Sequence, residues 1–254
     1  MVTGLLTYVF GRKYLPVDPL EKPKAERAPL PPFDASVRSR FAFFLLIAGI
    51  VVVFRSCYEQ IGNTLALWAD ANTDRTIGGF TIPMTWFQSI NPFIVFLLTP
   101  FLVSYWTRKS KRTGRDVPHL RRMSLGAAIV AASYFALAIT AGVSEHSSWV
   151  VLASFMILMT VGELYILPVG LGMFGKLAPK GFEATVIALW FFAAFAGNLA
   201  AGVIGTLWSQ VSHAQFFAIV SLAALASAIA LFAVDAALTR RGKSHPHAVL
   251  GEAS

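Results

Sequence analysis

Long apolar runs alternate with short polar breaks along this chain. Apolar residues fill 41–69, 84–106, 123–143, 149–173, 184–208 and 214–237 with few interruptions. Each run approaches or exceeds the ~20 residues that carry a helix across a bilayer. None alternates with period two, and all are too long for strands. The pattern predicts an all-α integral membrane protein with six transmembrane helices over 41–239. Ahead of them, 1–40 begins with a short apolar piece. It continues into a charged, proline-rich stretch, "PVDPLEKPKAERAPLPP", which reads as a solvated linker. Residues 240–254 read as a polar tail.

Composition strengthens this reading. Only 13% of the 254 residues are charged, about half the ~25% of soluble domains. That is too little polar surface to clothe a water-soluble body. The net charge of +8 is placed unevenly. If all six runs cross, every one of the 21 lysines and arginines except Arg55 and Arg75 falls on one side. The opposite loops carry Arg75 beside Asp70, Asp74 and Glu145. Lysine and arginine mark cytoplasmic loops, so both termini are expected in the cytoplasm. The basic excess then reports topology and gives no reason to expect nucleic acid. Contact of loop 108–122 with anionic lipid is a secondary expectation. The first ten residues run straight into Gly11-Arg12-Lys13 and do not read as a secretory signal. The single cysteine, Cys57, can form no internal disulfide.

Chemistry-bearing residues are few, which directs attention to those inside the spans. No phosphate-cradling glycine loop and no Cys/His cluster with metal spacing occurs. His119, His146, His213, His245 and His247 fall in or near loops and the tail. An enzyme is not expected, nor any cofactor or metal. Inside the first span, "FRSCYEQIGN" holds Arg55, Glu59, Gln60 and Asn63. Charged residues at mid-bilayer cost about 2.5–3.5 kcal/mol on insertion scales, so they face a protein interior. Positions 55, 59 and 63 share one helical face. They read either as a polar cavity wall with Glu59 exchanging protons, or as Arg55 and Glu59 neutralising each other one turn apart. Glu163 sits in "ILMTVGELYILPVGL" with no basic residue in its helix. A carboxyl group there suits proton exchange or a cationic ligand; a structural hydrogen bond to a neighbouring helix is the bland reading. Asn91 and Trp190 are weaker signals. Asn91-Pro92, Pro100 and Pro168 interrupt the second and fourth spans, as in cavity-lining helices.

Four segments carry a family likeness: "FRSCYEQIGNTLALWAD", "TWFQSINPFIVFLLTP", "VGELYILPVGLGMFGKLAPKG" and "ALWFFAAFAGNLAAG". In this order they resemble the second half of the proton-coupled oligopeptide transporters of the major facilitator superfamily. The opening "GLLTYVFGRKYL" resembles the end of that family's sixth helix. The resemblance implies a six-helix half of a major facilitator fold, in the inner membrane, that imports di- and tripeptides with protons as the coupling ion. It implies that Glu59 and Glu163 take part in proton coupling, and that Asn91, Glu163 and Trp190 line the peptide site. Three residues depart from the family's usual pattern. Arg55 stands where tryptophan is frequent, Leu167 replaces a serine in the helix-ten motif, and Ala194 stands where some members have serine. An N-terminal six-helix half would be needed to enclose a central site, supplied by another chain or by self-association. The rival expectations are a truncated, non-transporting remnant or scaffold, and a major facilitator half for another small solute. Met1 falls inside what should be a helix, which favours truncation, and the helix-ten motif speaks against another solute.

Overall fold

The structure, a computed structural model, describes residues 2–11, 14, 34–113 and 118–244. The linker and tail expected at 1–40 and 240–254 therefore lie largely outside the described residues. The chain divides into two units, Met1–Asp34 and Ala35–Ser254. In the first, α1 (Val2–Gly11) is a short apolar helix with Leu5, Val9 and Phe10 exposed.

The second unit holds the six expected spans, each apolar and long enough to cross a membrane. They are α2 (Ala35–Tyr58) continued by α3 (Thr64–Asn72), then α4 (Met84–Thr113), α5 (His119–Val143), α6 (Trp149–Leu177), α7 (Glu183–Gly205) and α8 (His213–Ser244). The first span is not the single regular helix that its apolar run suggested. It tightens into a 3-10 turn at Glu59–Gly62, and Asn63 then leaves helical geometry at φ −114°, ψ −104°. Gly62 and Asn63, adjacent and both poor helix formers, weaken the α-helix locally. Contacts from α7 hold the break in place.

Those contacts come from small residues of α7 spaced one turn apart. A side chain at Gly197 would strike the Cβ of Arg55, and one at Gly205 would lie 2.6 Å from Nδ2 of Asn63. Between them, the amide of the fully buried Gln60 donates to the carbonyl of Ala201 at 3.0 Å and to that of Ser56 at 3.2 Å. The hydroxyl of Thr64 donates to Oε1 of Gln60 at 2.9 Å. The break is thus sewn to its neighbour by a buried amide whose donors and acceptor are all used. On the far side, the hydroxyl of Tyr134 in α5 donates to the carbonyl of Cys57 at 2.9 Å, near the end of the α-helical ladder.

A second close approach sets the rotation of α6. A Cβ at Gly126 of α5 would lie 2.6 Å from the carbonyl oxygen of Gly162, and one at Gly162 would lie 2.6 Å from Val130. Only glycine lets these backbones meet. Gly162 therefore faces α5, and the next residue, Glu163, turns away from it. The serines of α5 and α8 add bonds between those two helices: Ser124 donates to Ala228 O and Ser221 to Ala131 O. The loops facing away from the basic ends carry two small pairings. β1 (Thr73–Asp74) runs parallel to β4 (Ser147–Ser148), while β2 (Thr76–Ile77) and β3 (Phe80–Thr81) form a hairpin. Its two-residue turn has Gly78 and Gly79 at φ 57° and 85°, a geometry open to glycine and strained for other residues. Arg75 pairs there with Asp70.

Candidate functional site

Glu163 is half-buried among apolar neighbours of α6. The expectation that its helix holds no cation is corrected by the helix running on to Leu177: Lys176 stands in its last turn, more than three turns from Glu163, and the carboxylate finds its partners elsewhere. The hydroxyl of Tyr58, at the end of α2, donates to Oε2 at 2.7 Å. The amide of Asn91 in α4 donates to the same oxygen at 2.8 Å and to the hydroxyl of Tyr58 at 3.1 Å. Three spans therefore meet at one carboxylate oxygen. Among the described residues Oε1 accepts no hydrogen bond, so one face of the carboxylate is left for a proton or a cationic group.

Glu59 lies one turn from Arg55, and the two form an ion pair at 2.7 Å between Oε1 and Nη2. The side chains are 31% and 15% exposed, so the pair is only partly screened by solvent. The guanidinium also lies over the ring of Tyr58, 5.4 Å from its centroid. A chain of polar contacts thus runs from Glu59 through Arg55 and Tyr58 to Glu163 and Asn91. Asn63, expected on the same face as Arg55 and Glu59, lies past the break and packs against Gly205.

Trp190 is buried and sits outside this chain. Its ring meets Phe174 edge-on at 5.1 Å and covers Gly170, where any side chain would collide with it. Trp190 also lines a cleft of about 320 Å³ between α2, α6 and α7, with Arg55, Leu167, Pro168, Phe191 and Ala194. All three positions read as departures from the family pattern line this cleft. Tyr58 is the residue that sequence reasoning passed over. Its signal was its place beside Glu59 in a polar stretch; its bonds to helices 33 and 105 residues away were not readable. Among the described residues no group of His, Cys, Asp and Glu could hold a metal ion.

Six apolar spans with polar groups drawn together across three of them define a multi-pass membrane protein. Residues 34–222 match the PTR2 pattern of the POT family, and the chain belongs to that family. It is 34% identical over 170 residues to the peptide transporter YePEPT of Yersinia enterocolitica subsp. palearctica, covering 64% of this chain and 32% of that one. It is 26% identical over 208 residues to the di-/tripeptide transporter of Lactococcus lactis subsp. cremoris, covering 79% and 41%. A crystal structure of a peptide transporter POT in complex with sulfate superposes with a TM-score of 0.74 at 24% identity. That likeness is one of fold; it covers 93% of this chain and 46% of the other. The chain spans less than half the length of the relatives it matches.

Proposed function

We propose that the chain forms the C-terminal six-helix half of a transporter that brings di- and tripeptides into the cell with protons. It lies in the cytoplasmic membrane with both termini inside, and it works with an N-terminal six-helix half. The observation that carries this reading is the carboxylate of Glu163, gathered by Tyr58 and Asn91 from two other spans with one oxygen left open. The peptide transport for which the relatives are named agrees with it. In this reading Glu163 receives the peptide's ammonium group, Asn91 fixes the carboxylate and contacts the peptide, and Trp190 forms a pocket wall. Glu59 and Glu163 take up and release protons, and each change of charge remakes the contacts between halves as they rock.

The test is uptake of a labelled dipeptide into proteoliposomes containing the chain, alone and with a cognate first half, under an inward proton gradient. Uptake is expected to need the gradient and to be lost in Glu163→Gln. Absence of uptake in both preparations overturns the proposal. It would favour a non-transporting scaffold, the reading for which the Arg55–Glu59 pair speaks, since those charges already neutralise each other within one span.

A further inference from the structure

Arg55 is the one charged residue among those lining the cleft between α2, α6 and α7. The rest of the lining is apolar, with Leu167, Pro168 and Ala194 in place of any further donor, apart from the indole of Trp190. We infer that Arg55 makes this cleft a receptor for an anionic side chain, so that the site selects peptides carrying aspartate or glutamate. The inference rests on the peptide reading above and adds to it the class of side chain.

Three observations carry it. The first is the state of the guanidinium. Glu59 engages Nη2, while Nε is buried with no acceptor among the described residues. The planar fork of arginine serves two carboxylates on different edges, so Glu59 does not exhaust it. Nε is closed to solvent, so the donor an incoming carboxylate can reach is Nη1, which has no partner among the described residues. The second is the anchoring of Arg55. Its Cβ lies against Gly197 and its guanidinium over Tyr58, which hold the stem in one place. A positioned guanidinium loses little freedom when it binds. The third is placement. Leu167 and Leu171 line the cleft one and two turns along α6 from Glu163. Each turn advances about 5.4 Å. A cleft that begins about one turn from Glu163 is within reach of the neighbouring side chain of a peptide whose ammonium sits on that carboxylate. There, apolar walls strengthen an ion pair and penalise an unpaired lysine of the peptide.

The experiment measures binding of Ala-Glu, Ala-Gln and Ala-Lys to the full chain, alone and together with a cognate first half, in lipid nanodiscs, followed by tryptophan fluorescence. Ala-Glu is expected to bind at least about tenfold more tightly than its isostere Ala-Gln, as a charge-assisted pair requires. Ala-Lys is expected to bind more weakly than either. In Arg55→Gln the ratio of Ala-Glu to Ala-Gln affinity falls to about one, whereas Arg55→Lys, which keeps the charge, retains part of it. Equal affinities for Ala-Glu and Ala-Gln in the unaltered chain overturn the inference while the peptide reading stands. So does a preference that survives in Arg55→Gln. Absence of binding by all three peptides overturns the peptide reading and this inference together.

Discussion

Replacing Tyr58 by phenylalanine tests whether the polar junction is one cooperating unit. The substitution removes a single hydroxyl that donates to Glu163 at 2.7 Å and accepts from Asn91 at 3.1 Å. The ring stays, and with it the stacking on Phe54 at 6.3 Å and the contact with Arg55. The effect therefore reports the hydroxyl alone. A hydrogen bond to a charged group contributes about 1.5–3 kcal/mol. Neutral side-chain bonds between membrane helices average only ~0.6 kcal/mol in double-mutant cycles. The two cases are separable. The cycle combines Tyr58→Phe with Glu163→Leu, which leaves no acceptor, and stability is read from denaturant unfolding in detergent. A coupling energy of about 1.5 kcal/mol or more is expected, because Oε2 is a carboxylate oxygen receiving two donors. Tyr134→Phe serves as the control: its hydroxyl bonds the carbonyl of Cys57, not Glu163, so its effect should add to that of Glu163→Leu within ~0.5 kcal/mol. A Tyr58–Glu163 coupling no greater than ~0.6 kcal/mol would refute the reasoning.

Two further outcomes follow from the same structure. Gln60→Leu keeps the volume of a fully buried side chain but removes the bonds to Ala201 and Ser56 and the acceptor for Thr64. It is expected to lower unfolding stability by about 1–3 kcal/mol, with less than additive loss when combined with Thr64→Val; an unchanged unfolding midpoint would show that the break needs no tether. Of cysteines placed one at a time at Arg112 and Glu145 in a Cys57→Ala background, Glu145→Cys should react with an impermeant maleimide in intact cells and Arg112→Cys only after permeabilisation; labelling of both in intact cells would overturn the proposed topology.

The number and rough extent of the spans were legible because burial in lipid needs only length and apolarity, which are local properties of a run. The break at Glu59–Gly62 was not, although every residue in it was visible. Its stability comes from Gln60 bonding Ala201, 141 positions away. The same limit governed Glu163. Helical spacing shows only neighbours in the same helix, so the absence of a cation within reach was legible, and the two uncharged donors from α2 and α4 were not. Nor did the sequence show that the outlying residues belong together. Arg55, Leu167 and Ala194, scattered over three spans, read as three separate departures from the family's usual pattern. In the fold they line one cleft. A cleft with one guanidinium among apolar walls suits an anion under the inference above, because an entering anion meets a single strong partner and little competing polarity. If Arg55 sets the preference, the three residues act together as one anion-receiving cleft, and the ratio of Ala-Glu to Ala-Gln binding is the quantity that tests this.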